Sequence, residues 1–406
     1  MARIVIIGGG LAAESAARTL RKEGYDGVVT VVTDEPHAPY QRPPLSKGYL
    51  RGTEGVDAVV LHPAEWYDEQ RVEVRTSTAA TALDPAAHRV ELADGSSLAY
   101  DSALLATGSS PRRLPIAGHD LPGVRTLRRL DDSDALRAEL SGGGRRLVVI
   151  GAGWIGMEVA ATARTLGNEV TVLARGAVPL AAAVGPRMGE VFRRLHLDHG
   201  VGLRTSVQVE RIAGDERAEG VVVNGETVPA DLVLIGVGAV PNTGLAGAAG
   251  LDVDDGVLTD AALRTSAPDV FAAGDVANAF HPVIRRRSRS EHWDNARKGG
   301  PVAARGMLGI DAAHDGIPYF YTDQFDLGME LSGYPPLMAE AELVIRGDLD
   351  AREFIAFWIA AGRVVGGMNV NVWKVNKTVQ SLIRSSEPVD TTALGDPGTP
   401  LESLLS

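Results

Sequence analysis

No cysteine occurs anywhere in this 406-residue chain. That absence excludes disulfides, thiolate-ligated metals and every redox centre built on cysteine sulfur. Positive charge is also in deficit, with 40 Lys and Arg against 52 Asp and Glu, a net charge of −12 and a sequence pI near 5.3. The overall field repels phosphate backbones and argues against nucleic acid as a partner. Long hydrophobic runs are missing too. The longest uncharged stretch, Leu232 to Leu251, carries Pro241, Asn242, Thr243 and several glycines, so it reads as a strand and loop, and no membrane span is expected. Strand-like sequence begins at Arg3, which leaves no charged and apolar leader, and the expected location is the cytoplasm. No metal site is expected.

The informative presence is glycine. Gly8-Gly9-Gly10-Leu11-Ala12-Ala13 follows the apolar run Ile4 to Ile7, and Gly151-Ala152-Gly153-Trp154-Ile155-Gly156 follows Leu147 to Ile150. Each turn opens a helix-like stretch. A strand, a tight glycine turn and a helix N-terminus together aim backbone N–H groups and the positive end of the helix dipole at a pyrophosphate. Two copies imply two dinucleotides on one chain, the arrangement of a flavoprotein that also binds a nicotinamide nucleotide. Without cysteine, such a protein cannot relay electrons through a CxxC disulfide or halt them at a cysteine sulfenate.

A weaker duplication surrounds the glycine turns. Leu92 to Gly108 and Val222 to Gly238 share a hairpin turn, then an aspartate (Asp101 or Asp231), then an apolar strand ending in small residues. The fold class expected is therefore α/β, with two Rossmann-like domains of the glutathione-reductase type. Ser109 to Asp120, rich in Pro and Gly, suits a crossing between them, and a second crossing follows Val240. Leu258 to Asp275 reads as strand, turn and strand, which returns the chain to the first domain. Beyond about Tyr319, alternating segments such as Ala341 to Ile345 and Glu353 to Ile359 predict a smaller α+β C-terminal domain. The expected division is 1–112 with 243–320, then 113–242, then 321–406.

Four segments carry a family resemblance. Gln41-Arg42-Pro43-Pro44-Leu45-Ser46-Lys47, Ala106-Thr107-Gly108, Ala273-Gly274-Asp275-Val276-Ala277 and Glu291-His292-Trp293-Asp294-Asn295-Ala296 occur in the order found in FAD-dependent ferredoxin reductases. The chain resembles that family, which holds putidaredoxin reductase and the reductase components of aromatic-ring dioxygenases. The resemblance implies that NAD(P)H reduces FAD by hydride transfer, and that single electrons then pass to a ferredoxin or rubredoxin serving an oxygenase. The first domain would then hold FAD and the second NAD(P)H. Two other readings stay open: an NAD(P)H-sensing flavoprotein similar to apoptosis-inducing factor, and an NAD(P)H oxidase. Monomer and homodimer are both compatible with the sequence.

Site residues follow from both lines of reasoning. Gly8, Gly10 and Ala13 let the backbone approach the FAD pyrophosphate, and Asp34 or Glu35 can accept hydrogen bonds from ribose hydroxyls. Asp275, after a glycine at a strand end and near the next helix N-terminus, can bond a ribityl hydroxyl. By resemblance, Ala80 contacts adenine through its backbone, Arg42, Arg128, Thr107 and Gly108 touch FAD, and His292, Trp293 and Tyr321 lie near the flavin ring. Gly151, Gly153, Ile155, Gly156 and Gly238 belong to the nicotinamide nucleotide. The family places Lys47 and Glu158 beside the flavin and nicotinamide rings, where an ion pair would orient the carboxamide and stabilise reduced flavin.

One position departs from the family pattern. Where NADH-specific members carry an acidic residue, this chain has Ala174 followed by Arg175. A carboxylate there would bond the ribose 2′-hydroxyl, whereas an arginine can bind a 2′-phosphate. The turn nevertheless ends in Gly156, as is usual for NAD, and no second arginine is near in sequence, so the expectation is NADPH or dual use rather than NADH alone. Finally, the basic segment Arg285-Arg286-Arg287-Ser288-Arg289 is unusual in an acidic chain and is expected to steer an acidic ferredoxin.

Overall fold

The structure, a computed structural model, describes residues 2–405. The chain divides into two compact units, one of Met1–Arg42, Val56–Ser110 and Ala239–Pro318, the other of Pro43–Gly55, Pro111–Gly238 and Tyr319–Ser406.

The first unit is built on a parallel five-stranded sheet in the order Val270–Ala272, Ser102–Leu105, Arg3–Ile7, Val28–Val32, Val72–Arg75. The central strand reads Arg-Ile-Val-Ile-Ile and is buried after its first residue, as a parallel strand covered on both faces must be. Helix Leu11–Lys22 follows it, and its small residues Ala12, Ala13, Ala16 and Ala17 let helix Trp293–Met307 pack closely. An antiparallel three-stranded sheet, Ala80–Asp84, Arg89–Leu92 and Ser97–Ala99, lies within the same unit.

The second unit repeats this plan. Its parallel sheet runs Gly202–Arg204, Glu169–Leu173, Arg146–Ile150, Leu232–Ile235, Val124–Arg125. An antiparallel trio accompanies it, Val209–Ala213, Gly220–Val223 and Glu226–Pro229. The duplicated aspartates take the same role in each copy. Asp101 Oδ2 accepts the backbone N–H of Arg3 at 2.6 Å, and Asp231 Oδ2 that of Arg146 at 2.9 Å, each at the first residue of a central strand.

The C-terminal part is an antiparallel five-stranded sheet in the order Tyr319–Gln324, Leu327–Gly333, Arg363–Val370, Glu353–Ala360, Glu342–Asp348, with helix Asn376–Ser385 packed on it. The chain thus has two Rossmann-like dinucleotide-binding folds and a smaller α+β portion. Leu147, Val149, Met157 and Phe192 share one core with Phe354, Trp358 and Met368, so this sheet and the second nucleotide-binding fold are a continuous body. Leu50, from the proline-stiffened segment Pro43–Gly55, enters the same core.

Candidate functional site

Each glycine turn has a backbone that only glycine adopts easily. Gly8 and Gly151 have φ of +128° and +111°, outside the comfortable range of residues with a Cβ. A Cβ on Gly8 would run into the backbone carbonyl of Ala106, and one on Gly151 into that of Gly236. The turns then end at Gly10 and Gly153, which cap helices Leu11–Lys22 and Trp154–Thr165 without any side-chain hydrogen bond. Nothing lies within 4 Å of the place where a Cβ on either residue would be. Helix N-termini with no side-chain cap, facing open space, form a cradle for an anion. Gly156 is needed for packing, because a Cβ there would meet the Gly151 carbonyl; Ala13 holds the matching place in the first copy and is fully buried. Ile155, on the first turn of its helix, is exposed.

In the first unit, Glu35 is buried while its neighbour Asp34 is exposed. Glu35 accepts from the Tyr40 hydroxyl and, at 2.7 Å, from Arg42 Nη2. Arg42 Nη1 also donates to the Tyr40 hydroxyl oxygen at 3.0 Å. Thr107 and Asn242 clasp each other: Thr107 Oγ1 donates to the Asn242 carbonyl at 2.9 Å, and Asn242 Nδ2 to the Thr107 carbonyl at 2.8 Å. Gly108, at φ +67°, turns the chain beside them. Ala80 opens the strand Ala80–Asp84 and is partly buried.

Asp275 is buried and accepts the Ser109 hydroxyl at 3.0 Å through Oδ2. The helix expected directly after it is one 3₁₀ turn, Gly274–Val276, which leads into strand Ala277–His281. The long helix starts only at Trp293, where His292 caps it by accepting the Asp294 N–H on Nδ1 at 3.3 Å. Trp293 Nε1 is a buried donor without a hydrogen-bond partner, which suits a site meant to face an acceptor-bearing group. The glycine cradle, the buried carboxylates and this donor all fit a flavin dinucleotide.

The second unit assembles the Lys47–Glu158 pair. Lys47 Nζ lies 2.6 Å from Glu158 Oε2, and Glu158 is only 3% exposed. Two residues the sequence reading passed over complete the shell of Glu158. Ser46 Oγ donates to Oε2 at 2.5 Å, and Thr322 Oγ1 donates to Oε1 at 2.6 Å. Ser46 stood in view, next to Lys47 in the RPPLSK segment; Thr322 had no local signal. The Tyr321 ring centroid is 5.9 Å from Lys47 Nζ. Burial, and then the negative charges of Glu158, Asp323 and Glu54, push the Tyr321 phenol up to about 12. Burial also pushes the neighbouring Asp323 carboxyl above its ordinary range, with Glu158 and Glu330 adding to the effect against Lys47.

Elsewhere in that unit, Gly238 sits at φ +102° and its carbonyl accepts the Arg112 N–H at 2.8 Å. The Arg128 backbone N–H donates to Asp132 Oδ2 at 2.9 Å. Ala174 is buried at the end of strand Glu169–Leu173, and Arg175 is exposed. The sheet brings a second arginine alongside, because the Ala174 N–H bonds the Arg204 carbonyl at 2.9 Å. The Arg204 guanidinium is turned to Glu226, at 2.9 Å.

The basic segment divides in two. Arg287 Nη1 donates to the carbonyls of Thr259 and Asn278 at 2.9 and 2.8 Å, while Arg289 is paired with Asp255 and Glu291. These two arginines are bonded within their own unit; Arg285 and Arg286 are exposed, as is Arg287. Among the described residues, no helix is long and apolar enough to cross a membrane.

Comparison with known proteins agrees along the whole chain. Residues 2–300 match the model for pyridine nucleotide-disulphide oxidoreductases, and residues 319–405 match the model for the reductase C-terminal domain. Rhodocoxin reductase of Rhodococcus erythropolis is 37% identical over 396 residues, covering 97% of this chain and 92% of that protein. The ferredoxin--NAD(+) reductase component of the anthranilate 1,2-dioxygenase system of Burkholderia cepacia is 38% identical over 407 residues, covering 99% and 98%. The covalent complex of putidaredoxin reductase with putidaredoxin matches in structure with a TM-score of 0.95 at 33% identity, over 99% of this chain and 98% of that one.

Proposed function

Since this chain belongs to the pyridine nucleotide-disulphide oxidoreductase family, in the form that ends in a reductase C-terminal domain, we propose that it is an FAD-dependent reductase. It carries electrons from NAD(P)H to a small ferredoxin or rubredoxin that serves an oxygenase, either a cytochrome P450 or a dioxygenase. The observation that carries this reading is the joint presence of two dinucleotide turns and the complete absence of cysteine. The family is named for a disulphide that this chain does not have, so electrons leave toward an external acceptor. The relatives reported above carry ferredoxin reductase and rhodocoxin reductase names, which supports a small redox protein as that acceptor.

Bound FAD would supply the chemistry, taking a hydride from NAD(P)H and releasing electrons singly. The chain's own residues bind and orient. Gly8, Gly10 and Ala13 receive the pyrophosphate; Glu35, with Asp34 beside it, receives ribose hydroxyls; Asp275 receives the ribityl chain; Thr107, Gly108, Ala80, Arg42, His292 and Trp293 serve the same cofactor from the first unit; and Arg128 and Tyr321 are proposed as further FAD contacts. Gly151, Gly153, Ile155, Gly156 and Gly238 take the nicotinamide nucleotide. Lys47 and Glu158 act as the orienting pair for the carboxamide, and neither has to exchange a proton. Buried Ala174 with exposed Arg175 supports NADPH or dual use, and the Arg204 guanidinium, held by Glu226, adds nothing to the phosphate. The division into 1–112 with 243–320 for FAD, 113–242 for NAD(P)H and 321–406 belongs to the same proposal, as does a cytoplasmic location, where NAD(P)H is supplied.

The test is flavin content followed by rapid kinetics. Purified protein is expected to hold about one FAD per chain, to be reduced by NAD(P)H in an anaerobic stopped-flow experiment, and to pass electrons to a [2Fe–2S] ferredoxin. Protein that shows no flavin absorbance, even after incubation with FAD, overturns the proposal. Reduced protein that gives electrons only to oxygen would make it an oxidase instead.

A further inference from the structure

Beyond the ion pair, Glu158 stands at the head of a buried polar chain within the second unit. Thr322 and Gln324 are two residues apart on strand Tyr319–Gln324 and therefore share one of its faces. Thr322 Oγ1 reaches Glu158 Oε1 at 2.6 Å, Gln324 Nε2 reaches Thr322 Oγ1 at 3.2 Å, and His196 Nε2 lies 2.8 Å from Gln324 Oε1. Glu158, Thr322, Gln324 and His196 are all buried.

Donor and acceptor chemistry fixes the sense of every link. Paired with Lys47, the Glu158 carboxylate only accepts. The one hydroxyl proton of Thr322 is spent on it, so Thr322 must accept from the Gln324 amide nitrogen. The Gln324 oxygen then faces His196 and needs a donor, which requires the Nε2–H tautomer of a neutral ring. The other ring nitrogen agrees: His196 Nδ1 is buried and meets no hydrogen-bond partner, so a second ring N–H would be buried without an acceptor. Burial holds this histidine down at about 4.

We propose that Thr322, Gln324 and His196 are positioning residues for Glu158, forming a one-way donor chain that fixes the plane of its carboxylate. Oε1 is anchored by Thr322, and Oε2 is thereby turned to Ser46 and Lys47. Without the Thr322 hydroxyl, the carboxylate is held at one oxygen only and can rotate. Stability does not by itself require such a chain, since well-packed apolar groups of similar shape can replace a satisfied polar network at little net loss. The inference rests on the reading that Glu158 orients the nicotinamide.

The experiment has two arms. In single-turnover reduction by NAD(P)H, Thr322→Val is expected to slow the reaction about tenfold and Thr322→Ser to restore it, positioning losses being of this order. Thr322→Val added to Glu158→Gln should cost nothing further, because its effect runs through the carboxylate. Additive losses, or a normal rate in Thr322→Val beside a slow Glu158→Gln, overturn the positioning role. In the second arm, ¹⁵N-histidine NMR should show His196 as the Nε2–H tautomer, untitrated down to about pH 5, with that tautomer no longer imposed in Gln324→Leu. An Nδ1–H tautomer in the unsubstituted protein overturns the chain. A normal rate in Glu158→Gln removes the site reading on which the positioning role rests, and the NMR arm still tells whether the donor chain exists.

Discussion

Glu158 is a carboxylate with no slack: Ser46, Thr322 and Lys47 between them occupy both oxygens. A group fixed this firmly can orient a neighbour, and its removal should be felt in the rate of electron entry rather than in flavin retention. Lys47→Ala and Glu158→Ala are each expected to slow single-turnover flavin reduction about 10- to 100-fold, or roughly 1.4 to 2.7 kcal/mol of barrier, with FAD still bound. Unchanged rates in both would make the pair an ordinary structural ion pair. On the function proposed above, the nicotinamide preference is also set by single residues. Ala174→Glu combined with Arg175→Ala should shift selectivity to NADH, chiefly through a higher KM for NADPH, because a carboxylate repels the 2′-phosphate and one charge-assisted contact of about 1.5 to 3 kcal/mol is lost. A preference for NADH above about tenfold in kcat/KM before any substitution would refute the proposal of NADPH or dual use.

At the level of elements, the hairpin formed by Ala277–His281 and Arg286–Ser288 illustrates how a charge run is shared out. Arg287 and Arg289 are engaged within their own unit, so reversing them would damage the fold before it informed on docking. Arg285 and Arg286 are exposed, and reversing them spares the hydrogen bonds of Arg287 and the ion pairs of Arg289. Arg285→Glu with Arg286→Glu is expected to lower the rate of electron delivery to an acidic ferredoxin several-fold at low ionic strength and to flatten its salt dependence, since steering is a long-range, screened effect. Identical salt profiles before and after the substitution would show that the hairpin takes no part. The same lesson holds for the segment Gln41 to Lys47. Its motif was visible, but it took the packing of Leu50 into the second unit's core to bring Ser46 and Lys47 to Glu158.

For the molecule as a whole, mild acid is destabilising. Burial, with the nearby His199, depresses His196 to about 4, and burial, with His281 and Lys298, does the same to His314. Both lie below the unfolded value near 6.5, so the native state binds these protons more weakly than the unfolded state. Stability is therefore lost as pH falls from about 6.5 towards 4, by about 3 kcal/mol for each histidine, and no further below that. The raised Asp323 carboxyl has the opposite sign and offsets part of the loss as it protonates; Asp231, held at about 2 by Arg146, adds a further loss only between about 3.8 and 2. Thermal melts should show Tm dropping across the histidine window, and His196→Gln or His314→Gln, which keep a donor at the Nε2 position, should flatten the drop. A Tm independent of pH between about 4.5 and 7 would contradict this. What the sequence alone determined was local or repeated: both strand–glycine–helix units, the two hairpin-and-aspartate copies, the alternating strand segments of the C-terminal part and the absence of sulfur chemistry. Backbone conformation and side-chain period act over a few residues, so they leave a readable pattern. The partners of Glu158 left none. Ser46, Thr322, Gln324 and His196 are ordinary polar residues far apart in the chain, and only the folding of helix, strand and proline-stiffened segment onto one core brought their hydrogen bonds into a single directed chain.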